Sequence, residues 1–373
     1  MLIGVPREIK VHEYRVGLTP ASVREVVAHG HRVLVETGAG AGIGAGDADY
    51  REAGASVAES GAQVFALSDL IVKVKEPQAA ERAQLRAGQV LFTYLHLAPD
   101  PGQCRDLLAS GAVCVAYETV TASGGGLPLL APMSEVAGRL SIQVGAASLE
   151  RSRGGMGILL GGVPGVEPAR VLVLGAGTVG TNAAIMAVGS GAIVTVLDRS
   201  LDALRRIEAR FGARVITAYS DRETLAAQLQ HSDLVIGAVL VPGGVAPRLV
   251  TREHVARMRQ GAVLVDVAID QGGCFETSRV TTHAEPTFEV DGVIHYCVAN
   301  MPGAVPRTSA HALNHATLPF VLALADKGWR QAMADDPHLL AGLNVARGEV
   351  VHPVVAGALG YPVLRPQEWL ARS

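Results

Sequence analysis

The stretch that most constrains this chain lies near the middle of its 373 residues: Val171-Leu172-Val173-Leu174-Gly175-Ala176-Gly177-Thr178-Val179-Gly180. Four consecutive apolar residues, two of them β-branched, fit a strand buried on both faces. A Gly-x-Gly-x-x-Gly follows at once and runs into a helix-compatible segment over 181–188. Each glycine has a physical task. Gly175 makes the tight turn, Gly177 lets backbone approach a pyrophosphate, and Gly180 lets helix and strand pack closely. The free N–H groups and dipole at a helix start favour the negative charge such a group carries.

Three glycines alone are weak evidence in a chain with 43 of them; the surroundings are what give them weight. After the break Gly189-Ser190-Gly191, a second apolar strand over 192–197 ends in Asp198. An acidic residue roughly 20 residues past the glycines is placed to accept hydrogen bonds from an adenosine ribose. A carboxylate there repels a 2′-phosphate, so NAD is favoured over NADP, while Arg199 next to it works in the other direction. Thr178 belongs to the same turn.

The length suggests two domains. Apolar residues make up 49% and charged ones 18%, against roughly 25% charged in an average domain. So apolar a composition implies extensive burial and points to a homo-oligomer. The net charge of −3, from 32 basic and 35 acidic residues, provides no basic face for nucleic acid, and aromatics at 4% provide few stacking platforms. Cys104, Cys114, Cys274 and Cys297 show no C-x-x-C pair or metal-ligand spacing and read as free thiols, with no metal site. No export signal and no membrane span are evident, so the expectation is a cytoplasmic protein.

Elsewhere strands alternate with helices, as in βαβ units around a parallel sheet. Apolar strands are expected over 2–5, 32–36, 70–74, 89–94 and 112–117 in the first part, and over 214–217, 234–240 and 262–270 after Asp198. A hairpin-like segment spans 287–297. Helices are expected from Thr19, a cap followed by Pro20, and over 47–52, 134–151, 201–211, 221–230, 251–259 and about 308–326. Ser134 is a candidate cap. The expected fold is α/β: two Rossmann-like doubly wound domains with a cleft between them, linked by long helices. Residues 1–133 and 307–373 form one domain and 134–306 the other.

In open parallel sheets ligands collect beyond the carboxyl ends of the strands. Lys75 and His96 follow two such ends, and Asp270 closes a third just before Gly272-Gly273. Histidine exchanges protons near neutral pH, as oxidation of an amine or alcohol requires. Arg15 and Lys75 are cations suited to a substrate carboxylate, one a planar fork and the other a point charge. Of Lys73 and Lys75, only one is expected to reach the cleft.

The motifs as a set are similar to those of the alanine dehydrogenase family. They are Gly4-Val5-Pro6-Arg7-Glu8, Glu13-Tyr14-Arg15-Val16-Gly17-Leu18-Thr19-Pro20, Lys73-Val74-Lys75-Glu76-Pro77, Tyr94-Leu95-His96-Leu97-Ala98, Met133-Ser134-Glu135-Val136-Ala137-Gly138-Arg139, Gly161-Gly162-Val163-Pro164-Gly165-Val166, Asp266-Val267-Ala268-Ile269-Asp270-Gln271-Gly272-Gly273 and Val298-Ala299-Asn300-Met301-Pro302. The resemblance implies reversible NAD-dependent oxidation of L-alanine to pyruvate and ammonium, and a hexamer. It implies that Arg15 and Lys75 hold substrate and that His96 and Asp270 serve as acid/base residues. Ser134, Thr178, Asp198, Ser220, Val239, Leu240, Val267, Ala268, Ile269, Asp270, Arg279, Val298, Ala299, Asn300 and Met301 would line the NAD site. One departure is Ala203, where the family often has Lys or Arg. The same architecture also resembles the NAD(H)-binding subunit of proton-translocating transhydrogenase and the opine- and saccharopine-forming reductases. These are the alternatives.

Overall fold

The computed structural model describes residues 1–239 and 246–372. By its contacts the chain falls into two units, Met1–Met133 with Val305–Ser373, and Ser134–Ala304. The first begins with six strands: β1 (Leu2–Val5), β2 (Arg32–Glu36), β3 (Ser56–Ala58), β4 (Leu70–Val72), β5 (Val90–Thr93) and β6 (Val113–Ala116). They pair in parallel in the order β3-β2-β1-β4-β5-β6. That is the doubly wound order, which reverses between β1 and β4 and leaves a crevice beyond their carboxyl ends. Helix α1 (Pro20–Ala28) starts where the sequence asks, with the Thr19 hydroxyl accepting the Ser22 N–H at 3.3 Å and Pro20 in the first turn.

Helix α2 (Ala131–Ser148) begins before Ser134. Pro132 is tolerated in its first turn, where a missing N–H costs nothing, so Ser134 lies inside the helix and is not its cap. In the second unit the strands are β7 (Arg170–Leu174), β8 (Ile193–Asp198), β9 (Val215–Tyr219), β10 (Leu234–Gly237), β11 (Val263–Asp266), β12 (Thr287–Val290) and β13 (Val293–Tyr296). Their order is β12-β13-β11-β10-β7-β8-β9, parallel except for β12. From β9 to β13 the doubly wound order recurs, with its switch between β7 and β10. The hairpin closes on Asp291 and Gly292, both at positive φ, as a two-residue turn requires. Helix α3 (Thr178–Gly189) starts three residues earlier than the apolar pattern alone indicates, and helix α4 (Leu201–Phe211) follows β8.

The chain then returns to the first unit. Helix α5 (Pro306–Asp335) is interrupted at Gly328, whose φ of 73° and ψ of 152° are not helical. Strands β14 (Leu343–Ala346) and β15 (Glu349–Val350) extend the first sheet, β14 lying antiparallel to β6. The polar Asn344 interrupts any apolar run in β14, and its amide is satisfied by Thr119 Oγ1 at 2.8 Å and the Gly342 carbonyl at 2.9 Å.

Three of the strands stop earlier than the sequence suggests. β4 stops at Val72, and β11 stops at Asp266, so Asp270 sits in a 3₁₀ turn, Ile269–Gln271, rather than at a strand end. β10 ends at Gly237, and Leu240 lies outside the described residues. Among the described residues no helix is long and apolar enough to cross a membrane. The four cysteines are free and buried.

Candidate active site

Where the second sheet reverses, β7 runs into the glycine turn. Gly175 has φ of 105°, and a Cβ there would lie 2.7 Å from the Ala238 carbonyl oxygen. At Gly180 a Cβ would lie 1.8 Å from the Gly175 carbonyl oxygen, so helix and strand can approach only with glycine. Gly177 caps α3, and among the described residues nothing lies within 4 Å of a Cβ on it. Two of the three glycines are thus demanded by the fold itself, and the third faces open space. That space is a cavity of about 490 Å³ lined by Gly175, Gly177, Thr178, Asp198, Ser220 and Val239, with Ser134 also on its wall.

Asp198, the last residue of β8, braces the turn. Its Oδ2 accepts the Ala176 N–H and its Oδ1 the Ser200 N–H, both at 2.7 Å. A carboxylate fixed at the mouth, a helix start and an unfilled position at Gly177 fit the adenosine and pyrophosphate parts of a dinucleotide. Ala203 is buried in the first turn of α4, its N–H on Ser200 Oγ, whereas Arg199 lies on the cavity wall.

The other sequence candidates in this unit form a separate group beyond β11 and β13. Asp266, fully buried, accepts N–H groups of Ala268, Cys274 and Phe275 and the Ser278 hydroxyl. Burial raises its pKa, and those hydrogen bonds oppose the rise. It fastens the loop that carries Asp270. The Asp270 carboxylate accepts the Asn300 N–H at 3.4 Å, joining 267–270 to 298–301. Ala268, Ile269, Val298 and Met301 are buried and Val267 is half-buried. The buried four can offer a ligand backbone rather than side chain. Ala299 donates its N–H to the Thr281 carbonyl, and the Arg279 guanidinium lies 4.3 Å over the Phe288 ring. None of these residues lines the cavity above.

In the first unit Arg15, Lys75 and His96 all follow carboxyl ends of the sheet. Arg15 is 2% exposed. Its Nε and Nη2 meet the two oxygens of Glu13 at 2.7 and 2.5 Å, a bidentate pair, and Nη1 reaches Met133 Sδ at 2.9 Å. Burial opposes the guanidinium's charge, but Glu13 outweighs it and holds the group above arginine's ordinary range.

The expectation that Lys73 and Lys75 point to opposite faces of one strand is corrected here: alternation puts residues two apart on the same face, and β4 ends at Val72, before both. Lys73 turns inward, fully buried, with Nζ 3.0 Å from Glu8 and 2.7 Å from Glu81. Burial alone would lower its pKa; the two carboxylates raise it. Glu8 in turn accepts the N–H of Val74 at 2.7 Å and of Lys75 at 3.4 Å, so the segment before Lys75 is fixed at every residue. Lys75 stays half-buried. His96 adopts φ of 49° and stacks flat on Tyr94, centroids 5.7 Å apart. Tyr94 donates its hydroxyl to the Leu129 carbonyl and feels the charge of Arg15, which ties the histidine's platform to the arginine's surroundings. Glu118 receives the His96 N–H at 2.6 Å.

Residues 4–137 match the pattern described as Alanine dehydrogenase/PNT, N-terminal domain, and residues 141–353 that described as Alanine dehydrogenase/PNT, C-terminal domain. The chain belongs to the alanine dehydrogenase family. It is 60% identical to the alanine dehydrogenase of Halomonas elongata over 96% of this chain and 97% of that one. A solved L-alanine dehydrogenase superposes with a TM-score of 0.94 at 51% identity, covering 96% of this chain and 99% of the other. A transhydrogenase from Sinorhizobium meliloti shares the fold at a TM-score of 0.81 and 26% identity, covering 95% and 99%.

Several site-shaping groups escape a reading of single positions. Glu13, Glu8, Glu81 and Asp266 are buried carboxylates that look, in the sequence, like ordinary loop acids. What betrays them is context. Glu8 and Glu13 lie in the segment between the apolar strand β1 and helix α1, and Asp266 closes a run of valine and leucine.

Proposed function

We propose that this chain is an NAD-dependent L-alanine dehydrogenase, converting L-alanine, NAD⁺ and water reversibly to pyruvate, ammonium, NADH and a proton. The observation that carries the reading is that one chain holds two cations and a histidine beyond the carboxyl ends of its first sheet, and, in its other unit, a cavity at the switch of the second sheet that fits the adenosine and pyrophosphate parts of a dinucleotide. NAD, when bound, supplies the acceptor for the hydride of the α-carbon. The N–H groups of the α3 start would hold it, with Asp198 toward the ribose and the wall residues Ser134, Thr178, Ser220 and Val239 around it. The loops at 267–270 and 298–301, with Arg279, serve its nicotinamide end.

Residues 1–133 and 307–373 form the substrate domain and 134–306 the cofactor domain. Arg15 and Lys75 hold the substrate carboxylate and carbonyl oxygen. Arg15 is suited to this because Glu13 keeps it charged while buried and fixed in orientation. His96 takes and returns the protons released as water replaces nitrogen on the oxidised carbon. The Asp270 carboxylate favours the positively charged nitrogen species. We assign the molecule to the cytoplasm as a homohexamer, its apolar composition matching buried subunit contacts.

The test is NADH appearance with L-alanine, run beside L-serine, glycine, L-lysine and pyruvate with ammonium. Alanine-dependent reduction and its reversal are expected. Tight NADH binding with silence toward every amino acid would instead favour a transhydrogenase-type nucleotide subunit, and activity only with two larger substrates an opine- or saccharopine-forming reductase.

A further inference from the structure

His96 is one of five non-glycine residues with positive φ among the described residues, and it lies three residues beyond the end of β5. A bulky side chain in the left-handed region is costly, and persists only where its surroundings fix it. Glu118 does the fixing. It follows β6, the strand beside β5, and its side chain is 14% exposed. Its two oxygens receive the N–H of Leu95, each at 3.2 Å, and Oε1 also receives the N–H of His96 at 2.6 Å. The same Oε1 lies 3.9 Å from His96 Nδ1. From the opposite side the buried Gln103 amide donates to the Leu95 carbonyl at 2.5 Å. Tyr94 supplies a ring parallel to the imidazole within 5°.

We propose that Glu118 is the positioning residue of His96: by gripping two successive backbone N–H groups it holds the left-handed turn that aims the imidazole. The inference rests on the proton-transfer role given to His96 above. The chemistry favours a carboxylate over any neutral residue. One oxygen accepts both N–H groups, but only a carboxylate turns a second acceptor to the Leu95 N–H as well, and an ionised group makes the stronger bonds. A glutamine in its place presents an NH₂ to one of those donors, so the turn loses part of its anchor and the ring is free to leave its aim. Glu118 then acts on the proton-transfer step, and leaves the grip of Arg15 and Lys75 on substrate unchanged.

The experiment is a cycle of Glu118→Gln, His96→Ala and the double variant, with kcat, KM for L-alanine and thermal melting measured for each. The expected result is that Glu118→Gln lowers kcat about tenfold or more with KM within about threefold, and that the double variant is no slower than His96→Ala alone, since neighbours acting through one group do not add. Wild-type kcat in Glu118→Gln, or losses that multiply in the double variant, overturns the proposal. So does a KM that rises while kcat holds. If Glu118→Gln unfolds below the assay temperature, Glu118→Asp replaces it: the charge remains but is one methylene too short, and the same kcat loss and non-additivity are expected. Should His96→Ala itself keep full turnover, the fault lies with the histidine's assigned role; a dead His96→Ala beside a fully active Glu118→Gln condemns only the positioning claim.

Discussion

The two sheets share one strand order, yet their switch points are furnished in opposite ways. In the second unit the turn is glycine, the helix start offers backbone N–H groups, and one carboxylate, Asp198, braces the mouth. In the first unit the same topological position is crowded with charged side chains, Glu8, Glu13, Arg15 and Lys73, nearly all buried and paired. Topology places a crevice; residues decide what it can hold. A backbone-lined cavity suits a long polyanion with a sugar at its end. A site of fixed, mutually neutralised charges suits a small zwitterion, because every charge already has its partner and orientation before substrate arrives.

The contrast is tested first by the buried charges. Lys73→Met leaves Glu8 and Glu81 facing each other without a cation, and should cost about 3–5 kcal/mol in urea unfolding. Asp266→Asn in the second unit disturbs a carboxylate held by neutral donors and should cost less, about 1–3 kcal/mol. Equal losses would erase the distinction between the two regions.

Next comes chemistry. His96→Ala should lower turnover by about 100-fold or more while NADH binding, followed by fluorescence, stays intact. Full turnover would remove the imidazole from the reaction.

A smaller effect separates two glycines of one motif. Gly177→Ala should leave the melting temperature unchanged, since its Cβ meets nothing within 4 Å among the described residues, and should weaken NADH binding about tenfold by occupying the cofactor's approach. Gly180→Ala should do the reverse first, lowering the melting temperature, because its Cβ falls on the Gly175 carbonyl. The same response from both would mean that the turn does not divide its labour.

The smallest effect lies at the surface of the first unit, where Asp326 receives hydrogen bonds from His31 at 2.7 Å and His29 at 3.1 Å. The hydrogen bond from His31 leads in lowering its pKa, slight burial opposes, and His29 adds to the lowering. Since the folded value lies below the unfolded one, the contribution is present above the ordinary carboxylate pKa of about 3.9 and is lost as pH falls through the folded value. Asp326→Asn should therefore cost a little stability near neutral pH, read by urea unfolding, with the difference from wild type fading as pH falls below about 4; a difference that appears only below pH 4 would contradict this sign.

Much of the fold could be read from residues alone, because buried parallel strands announce themselves as apolar runs. Thr19-Pro20 marked a helix start through local capping, and the glycine turn marked β7. What escaped reading was set by tertiary partners. β3 is three residues long and β14 carries Asn344, so neither shows an apolar run, and both exist because a neighbouring strand edge recruits them. Ser134 reads as a cap from its residue type, yet the helix already begins at Ala131. At the candidate site, Arg15, Lys75, His96 and Asp270 stand out by residue type and place. The acids that orient them do not, since a carboxylate's burial depends on chain that meets it from far along the sequence: Glu8 finds Lys73, and Glu118 finds His96.

The split of the first unit between the two ends of the chain has a consequence for biosynthesis. The segment Ser134–Ala304 is contiguous and has every strand it needs once it leaves the ribosome. The sheet of the first 133 residues, translated earlier, must wait with the outer edge of β6 uncovered until Leu343–Ala346 emerges to pair with it. During that interval the nascent molecule exposes an apolar strand border, an invitation to pair with a neighbouring chain. The part made first is therefore the part finished last, and it is there that chaperones would find their work.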